Sequence, residues 1–279
     1  MGPKCPTCRY YVDAGGICNN RPMPSTLQDI TIPTALDEAS PGLKGVLGIP
    51  DSLGPWPAVV VVHEAFGIEA EMRKQVAHLT SLGYLTVMPD LYTAGGFRKC
   101  IGVTARALRS GTGRAWADIE SARLWLNQRD DFTGAIGIIG FCLGGGFALL
   151  AAASGYDTDE TAYQAAAVNY GMLPADLDVI QHSCPVIASY GGSDRSIKNG
   201  AARLEAKYSE LGVAHDVKEY PGVGHAFMNE KPVGPLALRP FLKIAGIAPN
   251  PEAAADAWER IDAFFGEHLR VNSAESPRP

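Results

Sequence analysis

Positive charge is in short supply: 24 Lys and Arg against 30 Asp and Glu leave a formal charge of −6. No basic stripe of the kind that neutralises phosphates runs along the chain, so nucleic acid is not expected as a partner. Cysteine is scarce as well, at 6 in 279 residues, too few for a disulfide framework. The opening residues, Met1 to Pro6, lack the apolar core of a signal peptide, and a cytoplasmic protein with reduced thiols is the expectation. Long apolar runs are almost missing. The charge-free stretch from Ala135 to Ala153 approaches bilayer length, but glycines at 137, 140, 144, 145 and 146 interrupt it. It reads as strand, tight turn and buried helix, with no membrane association.

What is present is an ordinary globular composition, 46% hydrophobic and 19% charged, able to bury a substantial core. Residues 1–26 carry prolines at 3, 6, 22 and 24 and little periodicity, so they are expected to form an extension outside the fold. Residues 27–270 are expected to form one domain, and residues 271–279 a flexible tail. Cys5, Cys8 and Cys18 make up three-quarters of a zinc site, but no fourth His or Cys lies nearby, and neither metal nor cofactor is expected.

Within the domain, strand-length apolar runs (43–49, 58–63, 84–88, 136–140, 166–170, 186–190 and 215–220) alternate with helix-length segments near 69–82, 113–128, 142–154, 198–212 and 251–268. Such alternation implies parallel pairing through helical crossovers. Val59 to Val62 is apolar at every position, as in a strand covered by helices on both faces. The expected class is therefore α/β, a mostly parallel sheet with one antiparallel strand near the N-terminus. Thr93 to Gly113 and Met228 to Pro251 break the alternation and read as loops or short cap helices that line a crevice at the carboxyl ends of the strands.

The most informative string is Gly140-Phe141-Cys142-Leu143-Gly144-Gly145, between a strand and a helix. It has the Gly-x-nucleophile-x-Gly form of a nucleophile elbow, with Cys in the nucleophile's place. A thiol there faces a helix N-terminus, whose partial positive charge favours thiolate and whose amides suit an oxyanion. Asp194 follows the strand at 186–190, and His225 follows the strand at 215–220. The order nucleophile, acid, histidine is that of α/β-hydrolases, and chymotrypsin-like and subtilisin-like chains run differently. Singly, each residue also has a bland reading, as a buried Cys, a helix-capping Asp or a loop His.

Together with His63-Glu64-Ala65-Phe66-Gly67, Pro89-Asp90-Leu91-Tyr92, Gly191-Gly192-Ser193-Asp194 and Gly224-His225-Ala226-Phe227, the elbow resembles the dienelactone hydrolases, also called carboxymethylenebutenolidases, from Leu27 to about Leu269. The resemblance implies an acyl-transfer cycle on a small-molecule ester or lactone: Cys142 as nucleophile, His225 as proton shuttle, Asp194 orienting the imidazole. It implies a fourth functional residue, Glu64, which in family members interacts with the resting thiol. It also implies an oxyanion hole from the backbone N–H groups of Leu143 and Ala65. His63 reads as structural, its side chain opposite to that of Glu64.

The chain departs from the family at two places. Where characterised members carry arginines that bind the substrate carboxylate, Ala94 and Asn229 stand here. Arg98, Lys99, Arg106, Lys231 and Arg239 are candidate replacements, each with a solvated surface charge as its plainer reading. Phe97, Trp116, Phe227, Met228, Leu236 and Phe241 are candidates for an apolar pocket. The expected activity is thus a cysteine-dependent hydrolysis of a different small ester, lactone or thioester, by a monomer or small homo-oligomer. The rivals are a general carboxylesterase or thioesterase on the same fold, and a thiol redox or binding protein without turnover.

Overall fold

The computed structural model describes residues 26–34, 36–155, 162–232, 234 and 246–270. Cys5, Cys8, Cys18, Leu236, Arg239, Phe241 and the C-terminal tail lie outside the described residues. Eight strands, β1 (Thr26–Thr31), β2 (Lys44–Ile49), β3 (Trp56–Val62), β4 (Leu85–Pro89), β5 (Phe132–Phe141), β6 (Ala165–Asn169), β7 (Val186–Gly191) and β8 (His215–Tyr220), form a sheet ordered β1-β2-β4-β3-β5-β6-β7-β8. β2 is antiparallel to both of its neighbours, and the pairs from β4 to β8 are parallel. The α-helices among the described residues are α1 (Ala70–Ser81), α2 (Phe97–Ser110), α3 (Arg114–Asn127), α4 (Leu143–Ala151), α5 (Gly200–Leu211) and α6 (Pro251–Leu269).

The uniformly apolar β3 is explained by its two covered faces. Val60 and Val62 join a core with Ile119 of α3, Phe147 of α4 and Leu204 of α5. Val59 and Val61 join a second core with Val76 and Leu79 of α1 and Ile261 and Phe265 of α6. All four valines are fully buried, each contributing on the order of 1.5–3 kcal/mol relative to exposure. α6 starts where the sequence says it should: Asn250 accepts the Ala253 N–H at 3.0 Å and Pro251 takes the first turn, where its missing N–H costs nothing.

Two expectations need correction. The segment 93–113, read as loop or short cap helix, holds a helix of full length, since α2 spans 14 residues of it. Its buried stripe, Cys100, Thr104, Ala107 and Leu108, has helical spacing but weakly apolar members, so composition concealed it. The edge strand β1 begins at Thr26, within the segment expected to lie outside the fold, and most of its residues are exposed. Ladder bonds to β2, the partly buried Leu27 and Ile30 and an Asp29–Arg73 ion pair hold it.

A buried polar tie joins the loop before β2 to α3. Asp118 accepts the Ser40 N–H at 2.6 Å and the Ser40 hydroxyl at 2.8 Å. Burial pushes its carboxyl up to about 6, against the Ser40 bonds and the charge of Arg114. Among the described residues no helix is long and apolar enough to cross a membrane.

Candidate active site

β5 passes into α4 through Cys142, whose φ of 55° and ψ of −116° lie where L-residues are strained. The turn survives because its neighbours lack side chains. A Cβ on Gly140 would lie against the Gly144 carbonyl, one on Gly144 against the Val62 carbonyl, and one on Gly145 against the backbone of Gly171. The Cys142 N–H donates to the Asn169 carbonyl at 3.0 Å, tying the elbow to β6. Cys142 is a free, half-buried thiol at the α4 N-terminus, beside the Leu143 N–H, one of the first-turn amides that have no intrahelical partner.

Strand register brings the other groups to this point. Val62 of β3 pairs with Gly140 and Phe141 pairs with Asn169 of β6, so Glu64, Cys142 and Tyr170 continue three adjacent strands at their carboxyl ends. Ala65, the other expected oxyanion donor, follows Glu64 on the same side. The β7–α5 loop carries Asp194, and the loop after β8 carries His225. His225 is pinned through its backbone: its N–H donates to Gly246 at 2.8 Å and its carbonyl accepts from Ala248 at 3.1 Å.

His225 Nδ1 and Asp194 Oδ2 are 2.6 Å apart, and the other Asp194 oxygen accepts the Ser196 N–H at 2.9 Å and the Ser196 hydroxyl at 2.5 Å. Burial opposes charge on both partners. The bonds from His225 and Ser196 nevertheless hold the Asp194 carboxyl below its ordinary range. On His225 burial is likewise outweighed, by the Asp194 bond and then by the Cys142 side chain, and its pKa rises to about 10. The imidazole therefore carries its proton through neutral pH.

Glu64 is 4% exposed, and burial pushes its carboxyl pKa up, against the opposing effects of Asn229, His225 and Tyr170. Its hydrogen bonds come from Asn229 Nδ2, at 3.0 and 3.2 Å to the two oxygens, and from the Tyr170 hydroxyl at 3.2 Å. The Cys142 thiol is not among its partners, which departs from the contact that the family resemblance implied. Tyr170 and Asn229 were missed as site residues. Tyr170 was legible as the last residue of an expected strand; Asn229 registered only as an arginine's absence, and Gln75, which bonds to it from α1, left no signal.

His63 behaves as expected of a structural residue. Its Nε2 accepts the Leu91 N–H at 3.1 Å, so Nδ1 carries the proton and donates to the Glu64 carbonyl at 2.7 Å; burial holds it neutral. The Tyr92 hydroxyl donates to the Ala65 carbonyl at 2.7 Å. Phe97 stacks on Phe66 at 5.9 Å and meets Tyr92 edge-on at 5.8 Å, forming an aromatic wall. Phe227 and Met228 are core residues instead, and Trp116, largely buried, lines a cavity away from Cys142. Arg98, Lys99, Arg106 and Lys231 are exposed. A cavity of about 670 Å³ between the α2 and α4 ends and the 172–179 segment touches none of the groups around Cys142.

Residues 43–269 match the model of the dienelactone hydrolase family. A Yersinia pestis protein provisionally described as a carboxymethylenebutenolidase is 29% identical over 259 residues, 86% of this chain and 88% of the relative. The carboxymethylenebutenolidase of Pseudomonas putida is 26% identical over 192 residues, 66% of this chain and 80% of the relative. A dienelactone hydrolase-like promiscuous phosphotriesterase from metagenomic libraries superposes with a TM-score of 0.69 at 21% identity, covering 88% of this chain and 99% of that one. The architecture is accordingly the α/β-hydrolase fold. With the family model matched across the whole span from β2 to the end of α6, the chain belongs to the dienelactone hydrolase family, hydrolases of ester and lactone bonds.

Proposed function

We propose that this protein hydrolyses a small ester, lactone or thioester through a covalent acyl-cysteine intermediate on Cys142. The observation that carries the reading is the 2.6 Å Asp194–His225 bond set against a cysteine at a strained strand-to-helix turn. Residues 27–270 act in this reading as one catalytic unit.

Cys142 Sγ, having given its proton to His225, attacks the carbonyl carbon. The carbonyl oxygen becomes an oxyanion held by the Leu143 and Ala65 N–H groups. Collapse expels the alcohol or thiol, which takes the proton from His225 Nε2, and leaves an acyl-cysteine. Water then gives a proton to His225 and attacks the acyl carbon; the sulfur leaves, and the carboxylate product departs. Asp194 holds Nδ1 in the donor role throughout and stabilises imidazolium.

The substrate differs from dienelactone in lacking a carboxylate beside the reacting bond. Ala94 offers no charge, and the Asn229 amide is already engaged with Glu64, so neither of these positions supplies the cationic fork that offsets the desolvation of an anion. Single-turnover assays of wild type and Cys142→Ala on p-nitrophenyl esters, small lactones and dienelactone, with mass spectrometry of the protein, test both parts. An acyl adduct on Cys142, with hydrolysis lost in the variant, is expected. Hydrolysis retained by Cys142→Ala refutes the nucleophile, and efficient turnover of dienelactone refutes the substrate assignment.

A further inference from the structure

The sheet ends at β8, whose outer edge pairs with no strand among the described residues. The Val186 N–H donates to the Ala214 carbonyl at 3.0 Å and the Gly192 N–H to the Tyr220 carbonyl at 2.9 Å. In the parallel ladder between β7 and β8 the N–H and C=O of one residue point the same way and alternate along the strand. The even-numbered residues of β8 therefore face β7, and His215, Val217 and Glu219 turn their backbone donors and acceptors outward. No hydrogen bond from the described residues reaches those three backbones. Charge commonly protects such an edge against pairing with other chains, and β8 carries Asp216, Lys218 and Glu219. Their order, however, makes this edge complementary to itself.

A second copy related by a twofold axis presents the same strand antiparallel, and outward residues must then face outward residues. Centring the pair on Asp216 sets two carboxylates opposite each other, and centring it on Lys218 sets two ammonium groups opposite each other. Centring it on Val217 sets Asp216 against Lys218 of the second copy, twice by symmetry, and His215 against Glu219. The half-buried Val217 meets its own counterpart, a β-branched pair of the kind that suits a sheet. Asp216 and Lys218 are 47% and 42% exposed at the side chain, and each is already oriented within its chain. Arg260 bonds both Asp216 oxygens at 2.7 and 3.1 Å, and Lys218 Nζ bonds Asp256 at 2.8 Å. Pairing about Val217 extends these into a row of alternating sign, Arg260, Asp216, then Lys218 and Asp256 of the second copy. We propose that β8 is a homodimer interface, where two copies pair antiparallel about Val217 and join their sheets into one.

The experiment is analytical ultracentrifugation of the full chain at neutral pH across micromolar concentrations, with thermal melting as the control for folding. The wild type is expected to sediment at twice the mass of the chain. Lys218→Glu sets carboxylates against each other at both symmetry-related contacts, and Asp216→Lys sets ammonium groups there. Turning two cross-strand attractions into repulsions predicts a dimer weaker by roughly ten- to a hundredfold in either variant. An equimolar mixture of the two variants has opposite charges at both contacts and is expected to form a heterodimer, which a lesion of the fold does not do. Val217→Pro deletes the central outward N–H, at an edge position where proline is tolerated, and is expected to be monomeric; it decides the matter if the charge variants do not fold. A monomeric wild type overturns the proposal. So does a dimer that survives Val217→Pro, or a mixture of folded charge variants that stays monomeric.

Discussion

Replacing Asp194 by Asn tests the link on which the site's electrostatics depend. The variant keeps a carbonyl oxygen where Asp194 accepts from Ser196, so the loop retains its two short bonds. Opposite His225 Nδ1, at 2.6 Å, the amide nitrogen replaces a carboxylate oxygen. Two N–H donors cannot face each other, so the imidazole turns to the tautomer with Nδ1 bare and Nε2 protonated. That ring turns an N–H, and no lone pair, away from residue 194 toward the nucleophile, and any imidazolium loses its counter-charge.

Breaking one partner of a buried charge pair costs about 3–5 kcal/mol. At 1.36 kcal/mol per factor of ten, this is roughly a hundred- to several-thousand-fold loss in kcat/KM. The assay is kcat/KM on a p-nitrophenyl ester as a function of pH, with thermal melting as the control for folding. The alkaline limit should move too. In the wild type His225 keeps its proton until about pH 10, and its folded pKa lies above the unfolded value. Its stabilisation is therefore complete below about pH 6.5 and is lost as pH rises through 10; in the variant the loss comes earlier. A folded Asp194→Asn within tenfold of wild type, with an unchanged alkaline limb, would refute the reasoning.

Gly144→Ala should destabilise the fold by about 1–3 kcal/mol or more through overpacking, since its Cβ meets the Val62 carbonyl; a chemical melt within 0.5 kcal/mol (about the scatter of surface substitutions) contradicts the steric account of the elbow. Tyr92→Phe removes the bond to the Ala65 carbonyl and should lower kcat about fivefold with little change in KM, for roughly 1 kcal/mol of lost positioning; a pure KM effect would argue against Ala65 as an oxyanion donor. Asp118 has its folded pKa raised to about 6, so the folded state binds the extra proton and stability from this group falls as pH rises from about 4 to 6. Asp118→Asn should remove that slope, and the melting difference from wild type should shift toward the variant between pH 4 and 7; a constant difference counts against it.

By itself the sequence determined the local geometry that steric rules enforce. Glycines at 140, 144 and 145 permit only a turn in which backbone meets backbone, and four consecutive valines in β3 demand two covered faces. The elbow, the acid and histidine loops and the strand-helix alternation were legible for that reason, because short-range sterics and burial write themselves into residue type. α2 and β1 were not, since a stripe of Cys, Thr and Ala and an exposed edge strand carry little apolar contrast.

Only the tertiary structure decided who bonds to whom across the ends of the strands. Glu64 and Asn229 stand 165 positions apart in the chain, and Gln75 joins Asn229 from α1. A carboxyl finds its donors by register and loop path, not by spacing. Glu64 could be named from its motif, but whether it faced the thiol or the Asn229 amide was fixed only when β3, β5 and the loop after β8 met.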